Sequence, residues 1–164
     1  MRASDRGVDA MLRVRGGEIM TMRLEMIEGS DAGLRKALAE AALPVEDLED
    51  NGRSFFRGVG GEGKALAYAG IELCGDSVLL RSVVVLPECR GRGLAKALVG
   101  ETLKQASETA AVFLATTTAA PLFERMGFVP VNRSNVPAAI LSTRQLSGIC
   151  PASATIMKLI KPPT

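Results

Sequence analysis

The sequence predicts a mixed α/β fold: a mostly antiparallel sheet of six to seven strands flanked by helices. Three observations carry that prediction. Residues 22–28 and 53–86 hold short runs of β-type pattern separated by glycine turns, as in an antiparallel meander. After Gly93 the apolar period lengthens to about 3.6 residues, which marks a helix. A continuous apolar run, a short helix and a further strand then follow, as in an α/β unit.

The elements follow in order. "MRLEMIE" (22–28) alternates apolar and polar residues, as a half-buried strand does. Ser30 or Asp31 can cap the next helix, in which Leu34, Leu38 and Ala41 share a face before Leu43-Pro44 ends it. A short second helical turn is expected at residues 45–48. "RSFFRGV" (53–59), "KALAYAGIEL" (64–73) and "SVLLRSVVVL" (77–86) are strands joined by "GGEG" and "CGD" turns. In the helix after Gly93, Leu94, Leu98, Val99 and Leu103 lie inward, with Lys96, Glu101, Lys104 and Glu108 mostly elsewhere. "AVFLATT" (111–117) is a strand buried on both faces. "AAPLFERMG" (119–127) is a helix with Pro early and Gly at its end. "FVPV" is a strand, "VPAAILSTRQL" (136–146) a short helix, and "ASATIMKLI" (152–160) a last strand.

Composition narrows the function classes. The 164 residues fit one domain, read as residues 22–161 after a flexible N-terminal extension of residues 1–21. Apolar residues make up 47% and charged residues 23%, an ordinary globular balance. A net charge of +2 with few aromatics does not suggest a nucleic-acid surface. No apolar run approaches a membrane span, and the start lacks the apolar core of a secretory signal. Cys74, Cys89 and Cys150 are odd in number and widely spaced, so reduced thiols and a cytoplasmic location are expected. Histidine is absent. That excludes Ser-His-Asp and Cys-His nucleophiles and removes the commonest zinc ligand, and no metal is expected.

The chemistry is concentrated in "VVVLPECRGRGLAKALV" (83–99), where a strand becomes a helix. Gly91 and Gly93 permit a sharp turn and a close backbone approach. The helix start offers unpaired N–H groups and a partial positive charge, with Arg90, Arg92 and Lys96 around it. That combination suits a phosphate. It is neither a Walker A loop nor a G-x-G-x-x-G turn, so a pyrophosphate held without an essential metal is expected. A tight turn with exposed arginines is the plainer alternative.

The same stretch resembles motif A of the GNAT N-acetyltransferase superfamily, Arg/Gln-x-x-Gly-x-Gly/Ala, through Arg90, Gly93 and Ala95. "PLFERMGF" (121–128), about thirty residues on, resembles motif B. The resemblance covers residues 22–160. It implies a GNAT fold and acetyl-CoA as cofactor. Backbone groups of Val83, Val84 and Val85 would pair with the pantetheine arm, and Gly91, Arg92, Gly93, Leu94, Ala95 and Lys96 would receive the pyrophosphate. Phe123 occupies the position where the family often supplies a tyrosine proton donor, and Thr118 replaces a frequent Asn. Tyr68, the single tyrosine, lies on another strand.

Acetyl transfer needs a neutral amine, a stabilised oxyanion and a proton for the leaving thiolate. Glu72, a carboxylate in "AGIEL", is the candidate base, since burial would raise its pKa toward a useful range. A solvent-facing glutamate is the alternative. Arg81, among apolar neighbours in "LLRSVVV", needs a partner, either Glu72 or an anionic substrate group.

A narrower resemblance is to the small bacterial arsenic-resistance N-acetyltransferases, through "TTTAAPLFERMGF" and "CPASA". It implies arsinothricin, an arsenic-containing glutamate analogue, as the amine, with Arg81, Thr116, Thr117, Arg144 and Ser153 as its partners. Strand-end capping is the other reading of the threonines. Another small amine, a protein N-terminus or a non-catalytic acetyl-CoA-binding module remain open. Family members often dimerise, so a homodimer is compatible. No nucleic-acid or membrane partner is expected.

Overall fold

Neighbouring residues on the strands enter opposite cores, because successive side chains point to opposite faces of a sheet. Phe55 and Phe56 do so in β3 (Arg53–Val59), Leu79 and Leu80 in β5 (Ser77–Val85), Phe113 and Leu114 in β6 (Ala111–Thr116), and Ile156 and Met157 in β8 (Thr155–Leu159). The sheet is therefore covered on both sides. One face packs on α2 (Leu94–Leu103) and α3 (Ala120–Glu124) through Leu94, Leu98, Val99 and Phe123. The other packs on α1 (Ala32–Glu40) through Leu34 and Leu38, and on α4 (Ala138–Leu141) through Ile140. Burial of each such leucine contributes about 1.5 to 3 kcal/mol.

The structure is a computed structural model that describes residues 8–13 and 19–160. Its sheet is mixed and mostly antiparallel, in the order β1-β2-β3-β4-β5-β6-β8-β7, where β2 is Ile19–Ile27, β4 Ala65–Cys74 and β7 Phe128–Pro130. The fold class is the expected one, with eight strands among the described residues where the sequence suggests six to seven. The additional strand is β1 (Val8–Arg13), antiparallel to β2 from Val8↔Leu24 to Arg13↔Ile19. The sheet thus begins ahead of Met22, within the stretch read as a flexible extension. An extra edge strand gives the backbone groups on the outer side of β2 hydrogen-bond partners. Residues 1–7 and 14–18 of that stretch, and Lys161, lie outside the described residues.

Local signals account for the helices. Asp31 caps α1, its Oδ1 accepting from the Leu34 N–H at 2.9 Å. Gly93 precedes α2 in the left-handed region at φ +75°, and no side chain caps that helix. The helix expected over residues 136–146 is interrupted. Only Ala138–Leu141 is α-helical, and Gln145–Ile149 forms a π-helical turn closed by the Cys150 N–H on the Gln145 carbonyl at 2.7 Å. Thr143 lies at the break, its hydroxyl donating to the Ile140 carbonyl at 2.7 Å. A hydroxyl that competes for backbone groups weakens an α-helix. Among the described residues no helix is long and apolar enough to cross a membrane.

Candidate active site

β5 and β6 run parallel as neighbours for only three pairs, Ser77↔Ala111, Val78↔Val112 and Leu79↔Phe113. Beyond them the strands part. β5 carries a bulge there: between the pairs Gly70↔Arg81 and Tyr68↔Val84 it holds Ser82 and Val83 against the single Ala69 of β4. Ser82 adopts φ +57°, a left-handed conformation costing a non-glycine residue about 1 to 2 kcal/mol. A bulge bends its strand and takes one residue out of the ladder. A cavity of about 520 Å³ opens between the diverging strands, lined by residues 80–83 of β5 and 114–119 at the end of β6. Leu122 and Phe123 of α3 form part of its wall, with residues 41–44, Glu46, Gln145 and residues 149–151 around it.

The glycine turn lies just past the end of β5. Leu86 extends the β5 ladder to Leu66 by a 2.9 Å backbone bond, and a 3₁₀ turn at Pro87–Cys89 then redirects the chain. Gly91 (φ +82°) and Gly93 (φ +75°) are left-handed, and a Cβ built on either meets no atom within 4 Å. Open space thus stands over two glycines in front of an uncapped helix. The exposed Arg90, Arg92 and Lys96 surround it, and Arg90 is tethered by a 3.1 Å bond from Nε to the Val85 carbonyl. Amide N–H groups at such a helix start suit a phosphate, so the residues present fit the pyrophosphate of a coenzyme A. Of the three valines, Val83 lines the cavity. Val84 packs in the opposite core with Tyr68 and Leu34, and Val85 packs on the α2 side.

The other expected site residues divide. Phe123 lines the cavity, 6% exposed, with its ring edge-on to Phe128 at 5.8 Å. Thr116 and Thr117 line it too, but the Thr116 Oγ1 accepts from the Ala119 N–H at 3.0 Å and so also caps the chain. Arg144 is exposed and bound to Asp50 at 2.9 Å, outside the lining. Ser153 is exposed and also outside it. Tyr68 points elsewhere: its hydroxyl stands 2.5 Å from where a Gly33 Cβ would lie, at the start of α1. Burial, then the charge of Asp31, pushes its pKa up.

Arg81 and Glu72 pair within the protein, the first of the two partners expected for Arg81, but Asp47 takes the main share. Arg81 lines the cavity, but its guanidinium belongs to Asp47: Nη1 donates to Oδ2, and Nη2 to Oδ1 at 2.6 Å. Its partner is a protein carboxylate rather than a substrate anion, because Asp47 is fully buried beside it. Glu72 is 7% exposed and does not line the cavity. Its carboxylate lies 3.3 Å from Arg53 and 3.5 Å from Arg81. Burial raises its pKa against the pull of both arginines. The structure thus gives Glu72 an ionic role and does not bring it to the cavity.

The cavity also holds residues that the sequence did not single out: Ser82, Glu46, Gln145 and, in this role, Cys150. Among the described lining residues Glu46 carries the single carboxylate. The acid-rich "EDLED" (46–50) opposite a lone strand arginine was the available signal for Asp47. Nothing in the local pattern marks Ser82 or Gln145.

Residues 50–130, just under half of the chain, match the family described as acetyltransferase (GNAT) domain. Solved structures share the fold. Rv2747 from Mycobacterium tuberculosis, in complex with CoA and NLQ, is 17% identical with a TM-score of 0.64, covering 84% of this chain and 98% of that one. N-acetylglutamate synthase from Neisseria gonorrhoeae, complexed with coenzyme A and N-acetyl-glutamate, is 14% identical at 0.62, over 84% of this chain and 35% of that one. A mutant of SpeG spermidine N-acetyltransferase from Vibrio cholerae is 15% identical at 0.58, over 84% and 92%. No curated protein sequence matches the chain. The chain thus matches a GNAT acetyltransferase domain over residues 50–130. It is an N-acetyltransferase that takes its acetyl group from acetyl-CoA.

Proposed function

We propose that the protein N-acetylates a small amine bound in the cavity between β5 and β6. The parting of these strands after three pairs is the observation that carries this reading. In it, backbone groups at Val83 and its neighbours bind the pantetheine arm, the amides of residues 91–96 hold the pyrophosphate, and Phe123 closes one wall. Bound there, acetyl-CoA supplies an activated thioester. The chain presents the amine from the side of residues 41–46 and 145–151, and exclusion of water by the apolar lining favours attack by the amine over hydrolysis. With Phe123 in the tyrosine position, no lining side chain near α3 offers a phenol, so water or the substrate's own ammonium group would supply the proton that the leaving thiolate needs.

An arsenic-containing glutamate analogue such as arsinothricin is the acceptor that the sequence resemblance suggests. In that reading Thr117 and Ser82 contact the anionic groups, since Arg81 and Arg144 are held by Asp47 and Asp50. A specific observation favours a second acceptor class. Arg81 is neutralised, so Glu46 is the uncompensated charge among the described lining residues, and it suits an amine carrying a further positive charge. Release of CoA over a panel decides between them: arsinothricin, phosphinothricin, glutamate, polyamines and a peptide N-terminus. Turnover of the amino acids alone supports the first, turnover of polyamines alone the second. No turnover with any amine despite acetyl-CoA binding overturns the small-amine reading.

A further inference from the structure

Beneath one wall of the cavity two arginines and two carboxylates close a buried ring. Asp47, in the segment between α1 and β3, takes the Arg81 fork and also accepts from Arg53, Nε at 3.2 Å and Nη2 at 3.1 Å. Glu72 completes the ring from β4, 3.3 Å from Arg53 and 3.5 Å from Arg81. The side chains of Arg53, Arg81 and Asp47 are 6%, 1% and 0% exposed. From Arg53 the chain of charges continues outward. Its Nη2 is 3.8 Å from Asp50, whose carboxylate accepts from Arg144 at 2.9 Å, and Arg144 also donates to the Glu46 carbonyl at 3.4 Å.

Two charges of each sign cancel in such a ring, and desolvation offsets most of its attraction, so it adds little net stability over apolar packing. What a bidentate fork does supply is a fixed distance and angle. Each anchored segment meets the cavity. Arg81 adjoins the bulge residues Ser82 and Val83, Asp47 directly follows the lining residue Glu46, and Arg144 directly precedes Gln145. Residues 41–52 contain no helix or strand, so their position depends on such contacts.

We propose that the ring of Asp47, Arg81, Glu72 and Arg53, extended through Asp50 to Arg144, positions the three walls of the amine-acceptor end of the cavity. These are positioning residues: they fix where the amine is held without touching it. The inference rests on the cavity being the acceptor site.

The test uses Arg144→Ala, Arg144→Lys and Asp47→Asn in the full chain. Arg144 is exposed and its surface pair contributes little stability, so its variants fold even if Asp47→Asn does not. Amide hydrogen exchange, acetyl-CoA affinity and Michaelis constants for both substrates are read together. Arg144→Ala is expected to speed exchange in residues 41–50 and 145–151 and to raise the amine KM about five- to tenfold. The acetyl-CoA KM and exchange in residues 89–96 stay as in the parent, and Arg144→Lys restores most of the loss. Asp47→Asn has the larger effect in the same direction. Unchanged exchange in the two wall segments, or an acetyl-CoA KM rising in step with the amine KM, overturns the proposal. Should the parent protein acetylate no amine, the small-amine reading falls, and the exchange pattern still decides whether the ring positions the walls.

Discussion

Gly93 shows how much one residue can hold. It stands at φ +75° with no neighbour within 4 Å of a would-be Cβ, so a side chain there meets backbone strain and empty space rather than a clash. Gly93→Val is expected to cost about 1 to 2 kcal/mol of stability. It fills the space over the helix start, so acetyl-CoA binding by calorimetry is expected to vanish while the thermal transition remains cooperative. Retained affinity would remove residues 91–96 from the cofactor site. Phe123 makes the complementary case. Its ring already lines the cavity, and Phe123→Tyr adds a phenol where a thiolate would leave. We expect kcat to rise about tenfold or more if protonation of the thiolate limits turnover, with a new acid limb in the pH–rate profile. An unchanged kcat places the slow step elsewhere. The residue scale also shows where local pattern stops. Gly91, Gly93 and Phe123 could be read from a short motif, because a turn and its flanks are local. Arg81 pointed to Glu72 as a protein partner, which lies 3.5 Å away, but its main partner, Asp47, lies 34 residues earlier in the chain.

Among the elements, β5 decides the most. Its apolar pattern foretells a central strand, and the structure places it between β4 and β6. The bulge at Ser82 and Val83 is invisible in that pattern, since neither residue is a glycine or proline. α2 gives a similar lesson: Glu101 was expected mostly outside the apolar face, yet it is 8% exposed, with Lys104 donating to it at 2.8 Å. The segment leading into β3 carries a pH signature. Burial pushes the Asp47 carboxyl up, but Arg81 and Arg53 outweigh it and hold its pKa below the ordinary 3.8. Its share of stability is therefore complete above that value and is lost as pH falls through the lower, folded-state value. Glu72, raised by burial, contributes in the opposite sense. Urea unfolding from pH 7 down to about pH 3 should show a steeper acid loss in the parent than in Asp47→Asn. At neutral pH that variant is expected to be less stable by about 3 kcal/mol, because it leaves Arg81 buried without its main partner. Parallel pH curves would show that Asp47 is not the titrating group.

At the scale of the molecule, the two-sided sheet shields the thiol of Cys74. Cys74 is buried and its thiol is pushed up to about 11 from an ordinary 9.0, chiefly by burial. Burial likewise raises that of Cys150. At pH 8 the native Cys74 holds about a hundredfold less thiolate than an ordinary cysteine. Disulfide-exchange reagents should therefore modify Cys74 slowly in the native protein, while all three thiols react in guanidinium. Rapid native reaction at Cys74 would contradict its burial against β5.

The sequence by itself determined most of the element types, though not the helical turn expected at 45–48 or an unbroken helix over 136–146, and it determined the glycine turn before α2 and the family motifs. Each is written in periods and spacings of a few residues, which local backbone geometry reads directly. Tertiary structure alone decided that β5 and β6 part after three pairs, that Asp47 claims Arg81, and that Glu46 and Gln145 meet one cavity. Those outcomes depend on segments 30 to 100 residues apart packing together, and on buried charges finding partners wherever the fold brings them.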